Sequence, residues 1–64
     1  MEEILVRYAK RPRKEAYVEK TKIFYSLDRA LHFWYKHDCL CIEKKTDDAS
    51  YIYDIDGDVW IKLN

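Results

Sequence analysis

The chain has 64 residues, in which twelve Lys and Arg residues balance twelve Asp and Glu residues. A chain of this length forms a single domain, here residues 1–64, and buries only about 60% of its unfolded surface, so its core is small. Zero net charge argues against a strong non-specific polyanion binder. We also expect no enzymatic activity, because the chain lacks a Gly-rich phosphate loop and a fold this small struggles to shape a pocket on the order of several hundred Å³.

The charge is unevenly distributed along the chain. Residues 1–37 carry nine basic and five acidic side chains, whereas residues 38–64 carry three basic and seven acidic ones. A difference of this kind can orient a partner. In a compact domain, however, we expect the two halves to interleave, so the sequence does not predict separate charged surfaces.

Targeting signals are not recognisable in the sequence. The first seven residues lack the basic start and apolar centre of a secretory signal peptide. No apolar run approaches the roughly 20 residues needed to cross a membrane. We therefore expect a cytoplasmic protein that does not contact a membrane and whose two cysteines are reduced.

Two strands open the predicted fold. Residues 3–9 alternate in hydrophobicity, and residues 15–24 resume strand character after a basic turn at residues 10–14, which contains Pro12. A loop at residues 11–13 gives the better apolar face, since loop length fixes every cross-strand pair. The side chains that would then share one face are Ile4, Val6, Tyr8, Ala16 and Val18.

A helix follows over residues 27–37, with Ser26 as its N-cap and Asp28 in its first turn. Apolar side chains at helical spacing form the predicted core stripe of Leu27, Ala30, Leu31 and Trp34. The opposite side carries Arg29, His32 and Lys36, together with Phe33, for which the pattern predicts no packing partner.

The rest of the chain is predicted to form three strands. Residues 39–43 form a short strand that is apolar on both faces, and residues 44–50 form a polar connection. Residues 51–63 contain two β-prone runs around Asp56-Gly57, the pair that favours a two-residue type I′ hairpin turn. The order β-β-α-β-β-β predicts an α+β fold of two layers, an antiparallel sheet with one helix packed on one face.

A two-residue turn fixes the register of the closing hairpin, with Tyr53 opposite Trp60 and Ile52 opposite Ile61. Both faces of this hairpin are hydrophobic, but one helix covers only one face. Branched aliphatic side chains suit packing under the helix, namely Ile52, Val59, Ile61 and Leu63. The face then left uncovered carries Tyr51, Tyr53 and Trp60.

An uncovered aromatic face predicts a binding surface, because Tyr and Trp are enriched at interface hot spots. We expect a small interaction module, of the inhibitor or adaptor type, that docks on a protein partner through Tyr51, Tyr53, Trp60 and Lys62. One alternative is a nucleic-acid-binding domain, in which basic turn residues contact phosphates while the same rings stack on bases; these residues are Lys10, Arg11, Arg13 and Lys14. Another is a homodimer that uses the same aromatic patch.

Metal sites and cofactors are not expected. Cys39 and Cys41 are predicted to point to one face of a strand, about 6.5–7 Å apart, which is too wide for a good disulfide. Together with His37 they lack the ligand spacing of structural zinc sites, and buried free thiols are the favoured interpretation. The acidic residues around Gly57 do not match a calcium loop, because the glycine lies at the fourth position instead of the sixth.

Overall fold

The computed structural model describes residues 2–10 and 18–63. Its elements are β1 (Ile4–Lys10), β2 (Val18–Phe24), α1 (Leu27–Lys36), β3 (Cys39–Lys45), β4 (Ser50–Asp54) and β5 (Val59–Leu63). The five strands form one open antiparallel sheet in the order β2-β1-β3-β4-β5. The helix contacts β1 and β2, so the predicted two-layer α+β fold and its element order are confirmed.

Helix α1 begins after Ser26, whose extended backbone (φ −146°, ψ 133°) occupies the predicted N-cap position. The amide of Ala30 donates to the carbonyl of Ser26 over 3.1 Å, which closes the first turn. The hydroxyl of Ser26 makes no capping hydrogen bond. Asp28 in the first turn and Lys36 in the last turn complement the helix dipole.

The core lies between the helix and the middle of the sheet. Its buried members are Ile4, Val6, Ala30, Ile42 and Tyr53. The predicted stripe of α1 is confirmed: Ala30 is buried, and Leu27, Leu31 and Trp34 pack against the buried cluster. Val6 and Ile42, the two largest fully buried side chains, are direct cross-strand partners on β1 and β3, and this pair anchors the sheet.

The predicted register of the first two strands is wrong. In the structure Ile4 pairs with Phe24 and Lys10 pairs with Val18. The register based on a loop at residues 11–13 would instead have placed Val18 opposite Val6, and Ala16 lies outside the described residues. Residues 19–22 contain three charged side chains and a threonine, so β2 offers little apolar alternation from which a register could be read.

The register of the closing hairpin is confirmed, but its turn is not the predicted one. Tyr53 pairs with Trp60 and Ile52 with Ile61. The strands end at Asp54 and Val59, however, and four residues form the turn between them. A two-residue turn at Asp56-Gly57 and this four-residue turn are centred on the same point of the chain. Both therefore give the same cross-strand pairs from Asp54 and Val59 outward.

Asp58, and not Gly57, adopts positive φ in this turn (φ 56°). Its amide donates to the carbonyl of Asp54 over 2.8 Å, the i to i+4 bond of a single helical turn. Aspartate tolerates the left-handed region better than most residues. Glycine is favoured at position 57 for a different reason, since a Cβ there would lie 2.7 Å from Oδ2 of Asp54.

A bulge separates the two cysteines. Arg7 pairs with Cys41, but its neighbour Tyr8 pairs with Cys39, so Leu40 is an extra residue on β3. The prediction that both thiols point to one face is therefore wrong. Cys39 packs against the core, whereas Cys41 lies on the opposite face beside Arg7.

Candidate functional site

The sheet has one face toward the helix and one open face. Because Val6 and Ile42 are buried with Ala30 of α1, the residues that alternate in phase with them define the helix side. In the register of the sheet, Tyr51, Tyr53 and Trp60 fall on this helix side. The open face carries the other set, which includes Leu5, Ile23, Ile52, Val59, Ile61 and Leu63.

This arrangement is the reverse of the predicted one. Tyr53 is only 7% exposed and belongs to the core, and the half-buried Trp60 packs against it with ring centroids 5.1 Å apart. The aliphatic side chains of β5 are instead exposed: 51% for Val59, 46% for Ile61 and 45% for Leu63. The prediction of an uncovered aromatic face is wrong.

The size of the helix explains the reversal. α1 has ten residues and contacts β1 and β2. A helix about 10 Å wide spans roughly two strands at their spacing of about 4.8 Å. The helix side of β4 and β5 therefore has to be covered by its own side chains. Aromatic rings, each able to bury roughly 150–250 Å², do this better than the branched aliphatics.

The rings of Tyr51 and Trp60 lie beside a lysine of the neighbouring strand β3. Lys44 places its Nζ 4.5 Å from the ring centroid of Trp60 and 5.4 Å from that of Tyr51. The same Nζ lies 3.4 Å from Oε2 of Glu2. Lys62 is exposed opposite Tyr51. The two rings are thus already in contact with a cation of the protein itself.

The open face is aliphatic at both sides and charged near its middle. One cross-strand row contains Ile23, Leu5, Glu43, Ile52 and Ile61, in that order across the five strands. Arg7 lies 3.7 Å from Glu43 and 3.9 Å from Glu19. These charges separate the apolar residues of β4 and β5 from those of β1 and β2. The larger continuous patch, which we call the β5 patch, contains Ile52, Val59, Ile61 and Leu63.

The two edges of the described sheet differ in chemistry. β2 forms one edge and carries Glu19, Lys20 and Lys22, the charges by which edge strands resist pairing with other chains. β5 forms the other edge, and Lys62 is its single charged residue. Of the two, β5 is the edge that favours the addition of another strand.

The predicted basic turn can be placed only in part. Lys10 ends β1 and is exposed. Arg11, Arg13 and Lys14 lie outside the described residues.

A cleft of about 560 Å³ lies between α1 and β2 and was not predicted from the sequence. Phe33 forms part of its floor and has three aromatic neighbours: Tyr8 (5.1 Å between ring centroids), Phe24 (5.4 Å) and His37, which stacks on it at 4.1 Å. The expectation that Phe33 lacks a packing partner is therefore wrong. The side chains that line the cleft are Phe24, Asp28, Arg29, His32, Phe33, Lys36 and His37.

The cleft lies in the more basic half of the molecule. The strand order places β1, β2 and α1 on one side of β3, β4 and β5. The two halves of the chain therefore do not interleave, contrary to the expectation from the sequence. Residues 2–10 and 18–37 carry six basic and four acidic side chains, whereas residues 38–63 carry three and seven. The charge difference along the chain is thus also a charge difference in space.

Burial raises the pKa of both thiols. For Cys39 the Asp38 carboxylate adds to this effect. For Cys41 the carboxylates of Glu43 and Glu19 raise the pKa further, while Arg7 lowers it. Neutral thiols are poor nucleophiles and poor metal ligands. Within residues 2–10 and 18–63, no three His, Cys, Asp or Glu side chains group closely enough to hold a metal ion.

Comparison with known proteins gives no match to a family model, a curated protein or a solved structure. Among the described helices, none is long and apolar enough to cross a membrane. The surfaces of the molecule itself are therefore the basis for the function proposed below.

Proposed function

We propose that this chain is a small non-enzymatic interaction module that binds an extended segment of a protein partner along the edge strand β5. The observation that carries this proposal is an edge strand with a single charged residue and three exposed aliphatic side chains. Val59, Ile61 and Leu63 alternate along β5 and are each about half exposed. An added strand would satisfy the free backbone groups of the edge and cover these side chains.

The area of the open face argues for strand addition over simple face-to-face docking. Five strands about 4.8 Å apart, with five to seven residues each, give a face of roughly 450 Å². A standard protein interface covers about 800 Å² on each partner. The face alone therefore suits only a weak contact. Main-chain hydrogen bonds along β5 would supply the additional affinity and fix the register of the partner.

Charge defines the chemistry of the partner further. The turn at one end of β5 carries Asp56 and Asp58, and Asp54 directly precedes it. A segment that pairs with β5 passes this acidic turn at one end. The expected partner segment has alternating apolar residues and a Lys or Arg beside the turn, because opposite charges there increase the association rate and fix orientation.

Selection from a displayed library of short peptides, followed by amide hydrogen exchange, tests the proposal. Selected peptides are expected to alternate apolar residues, to carry a basic residue at one end, and to protect backbone amides of β5. Ile61→Lys should abolish binding. Ile23→Lys is the matched control, because Ile23 is also 46% exposed on the open face but lies on the edge strand β2.

Two results would contradict the proposal. One is protection of amides elsewhere in the sheet while those of β5 exchange freely. The other is an equal loss of binding in the Ile61 and Ile23 variants, which would indicate a face-wide contact without strand addition.

Self-association through the same edge is the second candidate, and the sequence of β5 favours it. If two copies pair antiparallel about Ile61, each Trp60 lies opposite the Lys62 of the other copy, and no like charges meet. Sedimentation equilibrium at high protein concentration distinguishes the two candidates. A dimer that Ile61→Lys abolishes supports self-association, whereas a strict monomer excludes it.

A further inference from the structure

We propose that the cleft between α1 and β2 binds nucleotide units, through cations that contact phosphate and an aromatic floor that contacts the base. This inference goes beyond the proposed function, since the cleft lies beside β2, at the edge of the sheet opposite to β5. It also uses different residues from the nucleic-acid hypothesis drawn from the sequence, which relied on the basic turn and the hairpin aromatics.

Two cations of α1 line the cleft, and one cation of β2 lies beside its aromatic rings. Arg29 and Lys36 project from α1 and line it directly. Lys22 on β2 places its Nζ 5.3 Å from the ring centroid of Phe33 and 5.8 Å from that of Phe24. Two histidines, His32 and His37, also line the cleft. The spacing of Arg29, His32 and Lys36 at i, i+3 and i+7 explains why one helix presents all three on the same side.

These cations differ in their partners from Arg7 and Lys44, as the other described lysines also do. Arg7 and Lys44 form ion pairs with neighbouring glutamates. Within residues 2–10 and 18–63, no carboxylate oxygen lies within 4.0 Å of the charged groups of Lys22, Arg29 or Lys36. Asp28 is the one acidic residue in the lining of the cleft. The cleft therefore keeps a positive potential although the whole chain is neutral.

The floor of the cleft supplies the second half of nucleotide recognition. Phe24 and Phe33 are half-buried and line the cleft, where His37 stacks on Phe33 at 4.1 Å and Lys22 lies over both rings. A bound base would therefore take the place of one of these contacts. Stacking of a base on an aromatic side chain contributes about 1–3 kcal/mol and tolerates any base sequence. A cavity of about 560 Å³ falls in the range of small-molecule sites, roughly 300–1,000 Å³. Cations at the rim and rings at the floor match phosphate and base respectively.

Fluorescence anisotropy with a labelled single-stranded oligonucleotide tests the inference. The test variant removes three charges, as Lys22→Gln, Arg29→Gln and Lys36→Gln, all at exposed positions where the fold should persist. The control is Lys45→Gln, an exposed lysine on the half of the sheet away from the cleft. Circular dichroism verifies that all variants are folded.

Binding is expected to weaken as salt increases, because each phosphate contact contributes a slope of about −0.7 in the logarithm of affinity against the logarithm of salt concentration. Three contacts predict about a 20-fold loss of affinity between 50 and 200 mM salt. The test variant should lose binding and salt dependence together, while the control keeps both. Absence of binding at low salt, or equal binding by wild type and test variant, would overturn the inference.

Competition identifies the ligand further. A mononucleotide that displaces the oligonucleotide at equal nucleotide concentration assigns the cleft to free nucleotides, whereas a strong advantage of the oligonucleotide assigns it to single-stranded nucleic acid. Either result supports the inference. Inorganic polyphosphate that competes as well as the oligonucleotide would overturn the role of the aromatic floor. None of these measurements depends on β5, so the outcome is independent of the proposed strand addition.

Discussion

The hydroxyl of the buried Tyr53 donates a hydrogen bond to the carboxylate of Asp58. Asp58 is the residue with positive φ in the closing turn. One interaction therefore connects the core of the sheet to the geometry of the turn. It also satisfies the single polar atom that Tyr53 brings into the core, which a buried tyrosine requires.

Loss of this hydrogen bond should destabilise the protein. We expect Tyr53→Phe to reduce the free energy of unfolding by about 1–2 kcal/mol, because the acceptor is a charged carboxylate. In a domain of this size, that change lowers the melting temperature by at least about 4 °C. Thermal denaturation measures it. Tyr35→Phe is the control, since Tyr35 is 73% exposed, and an equal effect of both variants would contradict the role of Asp58.

The second prediction compares substitutions at two neighbouring positions of the turn, Gly57 and Asp58. At Gly57 an added methyl group crowds only the end of the Asp54 side chain, which can rotate away, so Gly57→Ala should cost no more than about 1 kcal/mol. Asp58→Ala should cost about 2–3 kcal/mol, because it loses the hydrogen bond from Tyr53 and leaves a less tolerant residue at positive φ. Urea denaturation compares the two. The reverse order would indicate the type I′ turn instead.

Two valines at opposite extremes of exposure test where the core lies. Val6 is fully buried, whereas Val59 is 51% exposed. Val6→Ala should reduce the free energy of unfolding by about 2–3 kcal/mol, from lost burial of two carbons and the cavity that remains. Val59→Ala should change it by no more than about 0.5 kcal/mol. A large effect at Val59 would indicate that the aliphatic face of β5 is covered in solution.

The thiols provide a prediction about pH. Because the pKa values of Cys39 and Cys41 are raised in the folded state, folding favours the protonated thiols. Their contribution to stability is complete below the pKa of an unfolded thiol and is lost as pH rises through the folded values, so stability should fall at alkaline pH. The double variant Cys39→Ala, Cys41→Ala should lose this component of the pH dependence in chemical denaturation.

The same thiols should react slowly in the native protein. Alkylation by iodoacetamide at neutral pH is expected to be slower in the native protein than in urea, since the thiolate is the reactive form. Mass spectrometry of the alkylated protein follows both sites separately. Equal rates in buffer and in urea would contradict the predicted burial effect.

Local patterns in the sequence determined the elements of this protein. The helical spacing of Leu27, Ala30, Leu31 and Trp34 predicted the core stripe, and the alternation around Asp56-Gly57 predicted the hairpin register. Both are confirmed because they depend on short-range geometry, which is 3.6 residues per turn in a helix and two per repeat in a strand. The choice of α+β architecture followed from the order of these elements.

Only the tertiary structure decided which face of the hairpin is covered. Alternation shows that Tyr53 and Ile61 face opposite sides, but not which side the helix occupies. The helix covers β1 and β2, so the distant strands bury their largest rings, Tyr53 and Trp60, and expose their aliphatic residues. The cleft at Phe33 could not be predicted for the same reason, because its neighbours Tyr8 and Phe24 are distant in sequence and meet it only when strand and helix pack together.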